Sequence, residues 1–135
     1  MKAIPTIYKY MTTTPFTIGA EQPLGRAQSL MRTNQIRHLP VLRGGKLEGM
    51  LTERDVALIE ALDGVDPEHL AVEDAMTTDV YAVSPTASLD EVADEMATRK
   101  YGSAVVVDND KVVGIFTTVD LAAALTELLR GRLAR

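Results

Sequence analysis

Apolar residues recur along the chain in two spacings, and the alternation between them predicts its elements. A short apolar run, Phe16 to Ile18, leads through a turn at Pro23 to Leu24, Ala27, Leu30 and Met31 on one helical face. Two strand-like runs follow, His38 to Leu42 and Leu47 to Leu51, joined by Arg43-Gly44-Gly45-Lys46. Such a joint is a hairpin signal. A second helix is expected from Glu53 to about Leu62. The series then begins again, with Tyr81 to Val83 as the first run and Ser84-Pro85 as the turn. Leu89, Val92, Ala93 and Met96 fall at helical spacing, and Ser88 with Glu91 has the form of a capping box. Ser103 to Val107 and Val112 to Phe116 are the next two strands, joined by Asp108-Asn109-Asp110-Lys111, and a closing helix runs from Thr118 to about Leu129. Ala104-Val105-Val106-Val107 is apolar throughout, as expected of a strand covered on both faces.

The two series are copies of one unit. Laying Met11-Thr12-Thr13 on Met76-Thr77-Thr78 is a shift of 65 residues, and the register holds without a gap. Leu24 then falls on Leu89, Met31 on Met96, Val41 on Val106, Gly49 on Gly114, Thr52 on Thr117 and Asp55 on Asp120. Only two copies of so long a period fit, which predicts a pair and not an open solenoid. The expected fold is α/β (α+β type), two pseudo-symmetric β-α-β-β-α repeats packed through their sheets into one module. The repeats divide at residues 1–65, with the N-terminal segment, and 66–135, and Asp63 to Leu70 is the connector. Ile4, Ile7 and Tyr8 give that N-terminal segment enough apolar surface to pack, on the other repeat or on a second subunit.

Composition narrows the function. The 135 residues are 46% hydrophobic and 24% charged, which is enough for a core. The net charge of -5 argues against binding a phosphate backbone in general, though not against one small anion in a local basic pocket. There is no cysteine, hence no disulfide and no thiolate chemistry. No stretch approaches the roughly 18 apolar residues of a membrane span, and the start lacks a signal-peptide core, so the expected location is cytoplasmic. Phosphate-loop and dinucleotide glycine motifs are absent, and no nucleophile–base set has recognisable spacing; an enzyme is the least favoured reading.

The sharpest recurring feature is Gly49-Met50-Leu51-Thr52-Glu53-Arg54-Asp55, echoed by Gly114-Ile115-Phe116-Thr117-Thr118-Val119-Asp120. Each places a Thr at a strand end and an Asp three residues later, in the first turn of a helix. Two uses compete for the same oxygens. A Thr hydroxyl and an Asp carboxylate cap a helix N-terminus. The same pair, beside free backbone N–H groups, suits a phosphate and the two hydroxyls of a ribose.

These stretches, with Arg37-His38-Leu39-Pro40-Val41 and the opening Val72-x-Asp74-x-Met76, resemble the cystathionine-β-synthase (CBS) domain, and the pair resembles the tandem CBS or Bateman module. The resemblance covers about Ile7 to Leu129. It implies two clefts between the repeats that take AMP, ADP, ATP or S-adenosylmethionine, with Mg²⁺ as a candidate companion of the phosphates and no obligatory cofactor. In the first repeat the implied site is Thr17, Ile18, Arg37, His38, Leu39, Pro40, Thr52, Arg54 and Asp55. In the second it is Val83, Ser103, Ala104, Val105, Thr117 and Asp120. The resemblance implies that Asp55 and Asp120 hold the ribose, that Thr52 and Thr117 are their hydroxyl partners, and that backbone near Ile18, Leu39, Val83 and Val105 frames the adenine. The resemblance further implies a homodimer, for which Leu121, Leu125, Leu128 and Leu129 are candidate contacts or core, and a protein partner regulated in trans. An interaction module with empty clefts is the alternative.

The copies differ. Arg37-His38 and Arg54 in the first face Gly102-Ser103 and Val119 in the second, so unequal sites are expected, the phosphate-preferring one nearer the first copy. Arg37 and Arg54 as solvated surface cations, and His38 as a partly exposed strand residue, are the plain alternatives. His69 reads as surface, and two separate histidines do not make a zinc site. Asp90-Glu91 and Asp94-Glu95 read as a solvated helix face, and the tail Arg130 to Arg135 as a basic helix end that frays.

Overall fold

A computed structural model describes residues 3–133. Four helices and two sheets form in the order read from the sequence. In the first repeat β2 (Ile18–Gly19), α1 (Leu24–Asn34), β3 (His38–Arg43), β4 (Lys46–Thr52) and α2 (Glu53–Glu60) follow one another. The second gives β5 (Ala82–Val83), α3 (Leu89–Arg99), β6 (Ser103–Asp108), β7 (Lys111–Thr117) and α4 (Thr118–Leu133). A two-residue strand that the apolar pattern does not announce, β1 (Thr12–Thr13), precedes them. Both hairpins turn through two residues of positive φ, Gly44 and Gly45 in one, Asn109 and Asp110 in the other. That conformation matches the twist of the flanking strands. Each helix of α1 and α3 ends on a left-handed residue, Gln35 and Lys100.

The compact units follow the sequence repeats only in part. One is continuous, Phe16–Val80; the other joins Met1–Pro15 to Tyr81–Arg135. The reason lies in the segment ahead of each repeat. In the discontinuous unit Ile7 donates its amide to the Ala87 carbonyl at 2.8 Å and Leu89 to the Pro5 carbonyl at 2.9 Å. The Ile7 side chain is fully buried there. Of the two places open to the N-terminal segment, it therefore takes the other repeat. The corresponding residues of the continuous unit do the same, Val72 donating to Gln22 and Leu24 to Leu70, both at 2.8 Å. The connector is not plain loop: Pro67–His69 and Val72–Asp74 are 3-10 turns.

In the continuous unit the sheet runs β2-β3-β4, with β2 parallel to β3 and β4 antiparallel to it. Leu24, Ala27 and Met31 of α1 and Val56 of α2 cover Leu39, Val41 and Leu51. In the discontinuous unit the order is β1-β7-β6-β5. Leu89, Val92 and Met96 of α3 and Ala124 of α4 close on Ala104, Val106 and Phe116, with Ile7 and Met11 completing the core. Leu121 packs against this cluster, whereas Leu125, Leu128 and Leu129 are exposed. The four leucines of the last helix thus divide between core and surface.

Gly49 and Gly114 mark where the leading segments lie. A Cβ on Gly49 would stand 2.6 Å from the Met76 sulfur and 2.8 Å from the Thr77 carbonyl oxygen. On Gly114 it would meet the Met11 sulfur at 2.6 Å and the Thr12 carbonyl at 3.0 Å. No side chain fits under this close backbone approach. Ser88 does begin α3, but its hydroxyl turns to the Asp90 carboxylate and makes no bond to the helix backbone. The expected Ser88–Glu91 box does not form: the Ser88 oxygen is turned toward Asp90 and accepts no bond from the Glu91 amide. The acidic face of α3 carries one ion pair, Glu95 to Arg99 at 3.2 Å. Ala134 and Arg135, at the end of the basic tail, lie outside the described residues.

Candidate functional site

Each hairpin ends where a helix begins, and the candidate chemistry collects at that junction. His38 pairs across the sheet with Thr52, and Ser103 with Thr117. The Glu53 amide donates to the Arg37 carbonyl at 2.9 Å, and Thr118 to Gly102 at 3.3 Å. The strand start with Arg37-His38 and the helix start with Thr52 to Asp55 are therefore one place. At Thr52 the capping box is complete. The Thr52 amide donates to Asp55 Oδ2 at 2.9 Å, and the Asp55 amide to Thr52 Oγ1 at 3.2 Å. The second copy repeats this, Thr117 N to Asp120 Oδ2 at 2.9 Å and Asp120 N to Thr117 Oγ1 at 3.4 Å. Thr52, Asp55, Thr117 and Asp120 are all half-buried, so each carboxylate keeps a face toward solvent.

The cations around the first junction are unevenly placed. Arg37 is exposed and lies 3.6 Å from the Glu53 carboxylate, so part of its charge is already answered. Arg54 is exposed and forms no ion pair among the described residues. Burial holds the His38 imidazole below its ordinary 6.5; the Arg37 charge adds to this and the Asp55 carboxylate opposes it. Because the native His38 binds fewer protons than the unfolded one, its share of stability is present at neutral pH. It is lost as pH falls through the ordinary imidazole range. The urea midpoint is accordingly expected to drop between pH 7.5 and 5.5 by less in His38→Gln than in the unaltered chain; equal drops would refute this.

The remaining expected site residues divide by burial. Leu39, Pro40, Ala104 and Val105 are fully buried, and Ile18 nearly so, so their side chains belong to the core and none is open to a ligand. Thr17 and Val83 are half-buried at the strand edges. Here the copies differ again. The Val105 amide donates to the Tyr81 carbonyl at 2.9 Å, whereas Pro40, its counterpart, has no N–H to give the Phe16 carbonyl. A groove of about 420 Å³ opens beside α1 and α2, lined by Arg32, Gln35, Ile36, Arg37 and Glu53 among others. It reaches Arg37 but neither Thr52 nor Asp55. His69, read as surface, is exposed, with its Nδ1 2.7 Å from the Asp66 carboxylate. No cluster of three metal-ligating side chains occurs among the described residues, and no helix there is long and apolar enough to cross a membrane.

A β-α-β-β-α unit made twice, each with Thr-x-x-Asp capping the helix after its hairpin, defines a class. The model of the CBS domain matches residues 7–61 and 72–127, and the chain belongs to that family as a tandem CBS-domain pair. Among curated relatives it is similar to the CBS domain-containing protein YhcV of Bacillus subtilis, 35% identical over 112 residues, 83% of this chain and 79% of the relative. Among solved structures it is similar to a Vibrio cholerae protein assigned to acetoin utilization, AcuB. That match has 30% identity, a TM-score of 0.87, and covers 98% of each chain. The CBS domain pair of the protein MJ0100, solved in complex with methylthioadenosine and S-adenosyl-L-methionine, is 26% identical with a TM-score of 0.83. It covers 93% of this chain and 98% of the other.

Proposed function

We propose that the chain is a non-catalytic regulatory module that binds an adenine nucleotide or adenosyl ligand at its Thr-x-x-Asp turns and signals to a separate partner protein. The observation that carries this is the first junction. There a half-buried carboxylate, Asp55, stands beside His38 and Arg37, at a helix start whose capping bonds use only one of its two oxygens. The other oxygen, Oδ1, suits a ribose hydroxyl, and the Arg37 guanidinium suits a phosphate or carboxylate. The adenosyl ligands held by the MJ0100 domain pair support the same class here. In this reading Thr52 and Asp55, with Thr117 and Asp120 as the second set, take the ribose. Backbone near Ile18, Leu39, Val83 and Val105 frames the adenine. Mg²⁺ accompanies the ligand only where a polyphosphate is bound. The exposed Leu125, Leu128 and Leu129 support self-association as a homodimer, and the cytoplasm supplies the ligand.

A second reading, a protein-interaction module without ligand, is favoured by the complete capping boxes, which give both Thr-Asp pairs a structural use. Thermal unfolding separates the two. With AMP, ADP, ATP or S-adenosylmethionine at about a hundred times its dissociation constant, binding adds about 2.7 kcal/mol. No rise in Tm with any of the four at millimolar concentration would leave the interaction module standing.

A further inference from the structure

The two Thr-x-x-Asp turns carry the same residues but differ in what already occupies the carboxylate. Asp55 accepts through Oδ2 from the Thr52 amide, and its Oδ1 receives no hydrogen bond among the described residues. Asp120 accepts the Thr117 amide at 2.9 Å and the Thr117 hydroxyl at 3.3 Å, both on Oδ2. It then accepts a second hydroxyl across both oxygens: Thr12 Oγ1 lies 3.1 Å from Oδ1 and 3.3 Å from Oδ2. Thr12 comes from the far end of the chain. It gets there because β1 pairs antiparallel with β7, Thr12 opposite Ile115, with Met11 seated on Gly114. Thr77 holds the corresponding place on β4, bridged to Met50, yet makes no side-chain bond to Asp55 among the described residues.

We infer that Thr12 is a built-in competitor for Asp120, which lowers ligand affinity at that turn and leaves Asp55 as the preferred ribose acceptor. The inference rests on the ribose-binding reading given above. A carboxylate receives a vicinal diol through both of its oxygens, one hydroxyl to each. Thr12 bridges those same two oxygens. A ligand arriving at Asp120 must displace a hydroxyl already held by a charged acceptor, whereas at Asp55 it displaces only water from Oδ1. The exchange at Asp120 therefore gains less by one charge-assisted hydrogen bond. Thr12 is exposed and its hydroxyl is released by a single χ1 rotation, so it weakens the site without closing it. The inequality of the two turns is thus set by the leading segment of the chain as well as by the cations near Asp55.

Titration calorimetry with S-adenosyl-L-methionine and with AMP tests this on the full chain. Asp55→Asn isolates the Asp120 turn, and is expected to bind more weakly than the unaltered protein. Adding Thr12→Val to Asp55→Asn, which keeps the side-chain volume and removes the hydroxyl, is expected to tighten binding about tenfold, the scale of one hydrogen bond to a charged group. Thr12→Ser in the same background keeps the hydroxyl and is expected to match Asp55→Asn. Thr12→Ala serves as a second hydroxyl-free variant should the valine disturb β1. The inference is overturned if the unaltered protein binds, but removing the Thr12 hydroxyl leaves the affinity unchanged or lower. It is overturned equally if Asp55→Asn costs no affinity. Failure of the unaltered protein to bind either probe overturns the ribose-binding reading itself.

Discussion

Asp55→Ala is expected to remove most of the ligand-induced rise in Tm, leaving only what the weaker Asp120 turn contributes, while lowering the Tm of the unliganded protein only slightly. The two effects have separate origins. Without ligand, Asp55 contributes the reciprocal half of a capping box, its Oδ2 receiving the Thr52 amide at 2.9 Å. Loss of such a cap costs about 1 kcal/mol, or a few degrees for a domain of this size. With ligand at about a hundred times its dissociation constant, the unaltered protein gains about 2.7 kcal/mol, close to 10 °C. Most of that gain is expected to be lost in the variant, because the ribose loses its preferred acceptor and only the Asp120 turn remains. Asp55→Asn refines the comparison: the amide oxygen can still receive the Thr52 amide, but the charge that strengthens a ribose bond is gone. Scanning calorimetry of the three proteins, each with and without ligand, reads both quantities. A full ligand-induced rise in Asp55→Ala would remove Asp55 from the site.

Phe116→Ala is expected to lower stability by about 3–5 kcal/mol, the range for truncating a buried aromatic. Phe116 is fully buried at the centre of the discontinuous unit, where residues from the N-terminal segment, α3 and α4 close on it. A side chain touched from so many elements leaves a cavity that no single element can relax into. Domains have only about 5–15 kcal/mol to lose, so the variant should unfold at a much lower urea midpoint. Leu51, the corresponding residue of the continuous unit, is also fully buried and is the natural comparison. Urea titration followed by far-ultraviolet circular dichroism gives the value. A loss below about 1 kcal/mol would contradict the placement of Phe116, since that is the size of a surface effect.

The long elements were legible because their patterns are strong. Helical spacing of Leu89, Val92 and Met96 put the buried face of α3 where it lies, and the Gly44-Gly45 and Asn109-Asp110 pairs turn their hairpins as their chemistry requires. The capping geometry of Thr52 with Asp55 was legible too, since a spacing of three residues at a strand-to-helix junction leaves few alternatives. The exchange of leading segments was not. Met11-Thr12-Thr13 has no periodicity, and a two-residue strand is fixed by what it lies on. The signal was nonetheless present as a glycine in mid-strand, Gly49 and Gly114, each a position where another backbone comes close. The Ser88 box did not form because spacing alone does not fix the rotamer of Ser88, whose hydroxyl turns to Asp90 and away from the Glu91 amide. Thr12 was missed as a partner of Asp120 because 108 residues separate them and only the strand pairing brings them together.

The division of the chain also orders its synthesis. A growing chain holds every residue of the continuous unit once Val80 has left the ribosome, so that unit can fold while translation goes on. The other cannot. Ile7 and Met11 have no core to enter until α3, β6 and β7 have been made, so the segment that carries them waits through the synthesis of the continuous unit. The nascent chain therefore acquires its Asp55 turn before its Asp120 turn, and the segment that carries Thr12 is made before the continuous unit yet finds its place after it.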